Sequence, residues 1–302
     1  MARILVIRLG ALGDFVQSFA PFAAIRAHHP HDDVDLLTQP AFAELGRACP
    51  WFDHVLLDRR PPWRDIAAVM ALRRMLRGYD FIYDLQTSGR STRYFYLSGH
   101  RAWSGIGRSA QAAHDNPQRR FMHTRVRQRD QLRRAGLEHL PVPDLSWLAR
   151  GGPVLPAPYA VLVPGAAAHR PAKRWPVERY AALAQRLHAH AHGLLPVVVG
   201  GPGEAGLARV ICQACPDAVD LTGRTTLPEL GGVLARAAWA VGNDTGPMHM
   251  AAALGVKCTV LFSADSNPAL TAPVGVRTGQ VRVIYVHDLA TVRVDRVAAT
   301  RG

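Results

Sequence analysis

The sequence predicts an α/β protein built from two doubly wound, Rossmann-like domains. Short apolar runs alternate with helical patterns through the first half, the alternation restarts in the second half, and glycine-bearing loops follow the strands. Alternating β and α elements imply parallel strands joined by crossover helices that cover both faces of the sheet. At 302 residues, with 48% hydrophobic and 20% charged residues, the chain can bury two cores of ordinary domain size.

Taken in order, the first strand runs from Ile4 to Leu9 and passes through Gly10-Ala11-Leu12-Gly13-Asp14 into a helix from about Phe15. Val34 to Thr38, His54 to Leu57 and Phe81 to Leu85 continue the sheet. A stretch rich in proline and glycine, Pro141 to Pro158, interrupted by Leu145 to Leu148, reads as the linker, so domains 1–150 and 151–302 are expected. The pattern resumes with a strand Tyr159 to Val163, a helix from about Pro176 to Ala189, Leu194 to Val199, and a helix from about Glu204. Leu227 to Arg236, a strand Trp239 to Val241, a helix from Thr245 and a strand Thr259 to Phe262 complete it. The two domains are expected to face each other across a cleft.

Ligands of such sheets sit outside the carboxyl ends of the strands, and four unusual loops fall there. They are Gly10 to Asp14, Pro164-Gly165-Ala166, Gly200 to Glu204 and Gly242 to His249. In the last, Asp244 or Thr245 can cap the following helix, Pro247 sits where a first turn needs no amide hydrogen, and Gly246 lets backbone approach a ligand. A helix start of this kind favours phosphate. Gly10-x-x-Gly13-Asp14 is not the dinucleotide fingerprint, and no acidic residue closes a second strand to hold a ribose, which weakens a hydride-transfer reading. Asp14 either caps the helix near Phe15 or stands as a carboxylate able to take a proton from a substrate hydroxyl. Arg170-Pro171-Ala172-Lys173-Arg174-Trp175-Pro176 brings cations just before a helix, as a solvated basic loop or as one side of a diphosphate clamp opposite Asp244 to His249.

The 36 Lys+Arg against 23 Asp+Glu give a formal charge of +13 and point to anionic partners. Arginines crowd Arg119 to Arg134, either as a solvated basic helix with its approach loop or as a recognition surface. No zinc-finger spacing or RNA-recognition signature accompanies them, so nucleic acid is not an expected partner. No apolar run approaches the roughly 20 residues of a membrane span, and the first strand is too short for a signal-peptide core, so a cytoplasmic protein is expected. Four cysteines give no disulfide framework; Cys212 and Cys215 have redox spacing but lie in a helical pattern and read as a half-buried face. Asp33-Val34-Asp35 reads as the charged start of a strand rather than a metal site, and His188, His190 and His192 as surface residues. No metal-ligating residue is assigned.

Together, Ile4 to Asp14, Pro164 to Pro176, Gly200 to Glu204, Leu221-Thr222-Gly223 with Leu227 to Leu234, and Asn243-Asp244-Thr245-Gly246-Pro247-Met248-His249 resemble the bacterial heptosyltransferases of lipopolysaccharide synthesis, glycosyltransferase family nine. The resemblance implies the GT-B fold and inverting transfer from an ADP-activated heptose, with no obligatory cofactor and a divalent cation at most as a stimulant. By the same comparison Asp14 is the catalytic base. The donor is held by Lys173, Arg174, Glu204 at the ribose, Thr225 and Thr226 beside the adenine, and Asp244, Thr245, Gly246, Pro247 and His249 at the diphosphate and sugar. Gly13, Gln86, Ser88 and Arg90 face an anionic glycolipid acceptor, which implies peripheral contact with the cytoplasmic face of the inner membrane. Where family members often continue Gly-Pro-Thr-Asp-Pro, near the donor sugar, this chain reads Ser263-Ala264-Asp265-Ser266-Asn267-Pro268. A nucleotide-sugar or nucleic-acid binding protein without transferase activity, and a nucleotide-sugar epimerase, are the alternatives on this scaffold.

Overall fold

Apolar runs with no alternating polar face suit strands covered on both sides, and the computed structural model places them so except for the half-exposed run His54–Leu57. It describes residues 1–156, 158–189 and 193–301. The chain divides into two units, Met1–Asp144 and Leu145–Gly302.

The first unit holds β1 (Arg3–Ile7), β2 (Asp33–Thr38), β3 (His54–Leu57), β4 (Phe81–Asp84), β5 (Trp103–Gly105) and β6 (Ala112–Ala113), with helices α1 (Leu12–Gln17), α2 (Phe19–His28), α3 (Ala43–Ala48), α4 (Ile66–Arg77), α5 (Gly89–Ser98) and α6 (Thr124–Arg134). All its strand pairs are parallel, in the order β3-β2-β1-β4-β5-β6. The order reverses between β1 and β4, whose last residues Ile7 and Asp84 lie side by side. Leu5, Ile7, Leu37, Ile82, Phe95 and Trp103 form one core layer. Phe15 of α1, Phe19 and Phe22 of α2, and Trp51 after α3 pack together as an aromatic group.

The second unit repeats the plan with β7 (Tyr159–Val163), β8 (Leu195–Val198), β9 (Val219–Asp220), β10 (Trp239–Asn243), β11 (Cys258–Phe262) and β12 (Val281–Tyr285). Its helices are α7 (Ser146–Ala149), α8 (Val177–His188), α9 (Ala205–Ala214), α10 (Leu227–Ala235), α11 (Gly246–Ala253), α12 (Pro268–Thr271) and α13 (Val294–Ala298). The order β12-β11-β10-β7-β8-β9 reverses between β7 and β10, the counterpart of β1 and β4. The α7 turn packs on α10 because Gly231 and Gly232 leave room for it: a Cβ at Gly232 would lie 1.7 Å from the Gly151 carbonyl oxygen. The segment expected as linker is thus pinned to the second unit, and Arg236 donates to the carbonyls of Gly151 and Pro153.

Several expectations shift. The first helix begins at Leu12, not near Phe15, and Ser18 ends it and starts α2. Asp14 therefore lies in the first turn of α1 and caps nothing; Ala11 holds the N-cap position with extended backbone. Thr245 takes the N-cap position of α11, but its side chain makes no capping hydrogen bond. The α6 helix is not solvated all round: Gln128, Gln131 and Leu132 are buried, and the two amides donate to Ser18 Oγ (2.7 Å) and the Asp84 carbonyl (2.9 Å). Among the described residues no helix is long and apolar enough to cross a membrane.

Candidate active site

In the second unit the site is organised by Asn243, the last residue of β10 and wholly buried. Its Nδ2 donates to the carbonyls of Pro164 (2.8 Å) and Gly165 (3.2 Å) in the loop after β7, and its Oδ1 accepts from the Trp175 amide (2.9 Å) and the Tyr180 hydroxyl (3.1 Å). One side chain thus ties the ends of the two central strands to the segment that carries Lys173. A single helical turn, Pro171–Lys173, turns Lys173 inward, where its ammonium pairs with Asp244. Both side chains are buried. His249, also buried in the first turns of α11, brings Nε2 to 3.9 Å from the other Asp244 oxygen, and its Nδ1 has no hydrogen-bond partner among the described residues. Burial pushes the Asp244 carboxyl up, but His249 and the Lys173 ammonium outweigh it and hold the group below the ordinary carboxylate range.

Arg174 points its guanidinium to the Ala166 carbonyl (2.7 Å), closing the loop after β7. Thr245, Gly246 and Pro247 form the half-exposed start of α11, next to Asp244. Glu204, at the end of a short turn after β8, accepts from the Gly201 amide (2.8 Å), and its carboxylate occupies the space a side chain at Gly165 would need. A Cβ there would meet Glu204 Oε1 at 1.6 Å, so a side chain at residue 165 would displace this carboxylate. Thr226 caps α10 in a reciprocal box with Glu229, which commits its hydroxyl, while Thr225 stands half-exposed before it. The residues expected at the donor therefore gather on the carboxyl edge of β7, β8, β9 and β10.

In the first unit the carboxyl edge of β1 and β4 carries a second polar group. Arg8, just past β1, is buried; Nη1 donates to the Leu85 carbonyl after β4, and Nη2 lies 3.3 Å from Asp14 Oδ1. Burial lowers the Arg8 pKa, with the Asp14 charge opposing that fall. Asp84, the last residue of β4, is fully buried; desolvation raises it to about 6, though its Oδ1 accepts the Thr87 amide (2.9 Å). Thr87 has a φ of 43°, a costly conformation for a β-branched residue, held by that bond and by Arg119, whose guanidinium reaches the Thr87 hydroxyl. Gln86 accepts the Leu9 amide (2.8 Å), Ser88 caps α5 in a box with Ser91, and Arg90 donates to Tyr94 (3.0 Å). Gly13, in the first turn of α1, is half-exposed beside Asp14. Arg8, Asp84, Thr87 and Asn243 were not assigned from the sequence. A lone cation or amide at the end of an apolar strand was the one signal available for Arg8 and Asn243.

The weaker motifs find structural places. Asp35 lies within β2 and accepts from Tyr79 (2.6 Å) and pairs with His54 (3.0 Å). Cys212 is in α9, Cys215 is its C-cap, and burial raises both thiols. His188 pairs with Asp217 at 3.1 Å, and His190 and His192 lie outside the described residues. Among the described residues no three His, Cys, Asp or Glu side chains group as metal ligands.

The chain is 34% identical over 99 residues to lipopolysaccharide heptosyltransferase 3 of Escherichia coli, covering 32% of this chain and 28% of that protein. It is 22% identical over 290 residues to lipopolysaccharide core heptosyltransferase OpsX of Haemophilus influenzae, covering 89% of this chain and 80% of that one. The first curated relatives are matched over about a third of their length or less. The structure of E. coli heptosyltransferase WaaC with ADP superposes with a TM-score of 0.80 at 19% identity, covering 98% of both chains, so the two share the GT-B fold. Residues 69–299 match the family described as glycosyltransferase family 9 (heptosyltransferase). With that match over most of its length, the chain belongs to glycosyltransferase family 9, the heptosyltransferases.

Proposed function

We propose that this protein is an inverting glycosyltransferase that moves a heptose from an ADP-activated donor to a hydroxyl of a lipopolysaccharide-core glycolipid. The observation that carries the reading is the buried Lys173–Asp244–His249 group at the start of α11, on the carboxyl edge of β7 and β10. A buried cation beside a helix start suits a diphosphate, and the heptosyltransferase structure solved with ADP has the same fold. Asp244 holds the ammonium in place, so Lys173 meets the diphosphate already oriented. Arg174, Thr245, Gly246, Pro247 and His249 line the same site, Glu204 takes the ribose hydroxyls, and Thr225 and Thr226 border the adenine.

In the reaction the acceptor oxygen attacks the anomeric carbon as the bond to the ADP oxygen breaks. Asp14 takes the hydroxyl proton, and the charge gathering on ADP meets Lys173 and the amides of the α11 start. The acceptor side is formed by Gly13, Gln86, Ser88 and Arg90, and the glycolipid brings the protein to the cytoplasmic face of the inner membrane as a peripheral protein. No obligatory metal enters this scheme.

Asp14→Ala is expected to lower transfer from ADP-heptose by at least about a hundredfold while ADP still binds as to the wild type in calorimetry. Turnover at the wild-type rate removes Asp14 from the mechanism. Conversion of the donor in the absence of any acceptor would instead support an epimerase.

A further inference from the structure

The α4 helix carries a face that the fold of the first unit does not use. Ile66, Ala67, Met70 and Ala71 share one exposed stripe, with Ile66 74% and Met70 46% accessible, and the stripe continues into the exposed Arg74 and Arg77. Positions spaced by three and four residues line one side of a helix, so this is a continuous surface with an apolar half and a basic half.

The apolar half is extended by its neighbours. Trp63, 38% accessible, precedes α4, and the guanidiniums of Arg90 and Arg93 on α5 lie 5.7 Å from its ring. Tyr96, 59% accessible, is one turn beyond Arg93 on α5. Between residues 59 and 77 the only carboxylate is Asp65, which caps α4, against Arg59, Arg60, Arg64, Arg73, Arg74 and Arg77. None of these six arginines forms a salt bridge among the described residues, and of them Arg73 is half-buried and donates to the Leu97 carbonyl (3.1 Å).

We propose that this α4 face, with Trp63 and Tyr96, is the surface by which the protein docks on an anionic lipid bilayer. Charge complementarity selects that occupant: exposed apolar side chains enter the acyl boundary, Trp and Tyr sit at headgroup level, and the exposed Arg74 and Arg77 meet lipid phosphates. The N-terminal, apolar half of α4 follows β3 and therefore lies toward the carboxyl edge of the sheet, the edge that carries Asp14, Gln86 and Ser88. Docking there presents that edge to the bilayer. The inference deepens the membrane contact proposed above, but its test needs no transfer chemistry.

The full chain should cosediment with phosphatidylcholine vesicles that contain phosphatidylglycerol and not with phosphatidylcholine alone. The double variant Ile66→Ser/Met70→Ser should lower the bound fraction about tenfold at constant salt, and Arg74→Gln/Arg77→Gln should lower it and flatten its salt dependence. In a detergent-free assay with a water-soluble acceptor, the serine variant should turn over as the wild type does. Wild-type binding by the serine variant overturns the proposal, as does a wild type that ignores both vesicle types, or a dimer that the serine variant converts to monomer. Failure of transfer by every form, with the vesicle results intact, defeats the transferase reading and leaves the docking face standing.

Discussion

Arg8 has one task that its position makes specific. A buried guanidinium needs partners, and this one gives Nη1 to the Leu85 carbonyl and Nη2 to the Asp14 carboxylate while its Nε has none among the described residues, so the side chain proposed as base is held by a group anchored just past β4. Asp14 is half-exposed and would otherwise sample several rotamers in the first turn of α1. Arg8→Met is therefore expected to lower kcat by about ten- to a hundredfold with ADP affinity unchanged. In an Asp14→Asn background the same substitution should cost nothing further, because Arg8 acts through Asp14. A full additional loss in that double variant would assign Arg8 a separate role. Asp14 was legible as a candidate in the sequence because it ends a Gly-x-x-Gly-Asp loop after a strand. Arg8 was read as part of the strand, and its partner carbonyl lies 77 residues away, beyond any local pattern.

At the level of elements, the site depends on how the ends of β7 and β10 are joined. Asn243 satisfies two carbonyls, one amide and one hydroxyl in a fully buried position. Asn243→Ala would leave several of these unpaired, each costing about 1–3 kcal/mol, so stability should fall by about 3 kcal/mol in urea unfolding. ADP affinity should fall with it, since the Trp175 amide anchors the segment carrying Lys173; a loss of under about 0.5 kcal/mol would show that the loops stand without it. The long central strands were readable from sequence because a doubly covered strand is apolar throughout. Strands β5, β6 and β9 were not, because two or three residues carry no period, and β12 escaped because its outward residues are polar or exposed.

At the scale of the molecule, buried carboxylates set how stability follows pH. Asp84 has a folded pKa raised from 3.8 to about 6 by burial, so its contribution is fully present below about pH 4 and is lost as pH rises through 6. The rise corresponds to about 3 kcal/mol. Asp244 acts oppositely: its lowered pKa contributes stability above the ordinary carboxylate range, lost as pH falls through the folded value. Between about pH 4 and 7, the wild type should therefore lose about 3 kcal/mol relative to Asp84→Asn in urea unfolding. Parallel curves for the two proteins would mean that Asp84 keeps its ordinary pKa in the fold.

The sequence by itself determined the α/β class, the repeated strand-and-helix plan, the family, and the loops that follow the strands, because these follow from local composition and from motifs read in a few consecutive residues. Only the tertiary structure decided which groups meet. The Lys173 ion pair with Asp244 and the Arg8 bond to the Leu85 carbonyl join residues far apart in the chain, and the burial of Asp84 and the bare face of α4 follow from which elements pack on them. Strand order, fixed by long-range pairing and not by any window of sequence, brings them to their places.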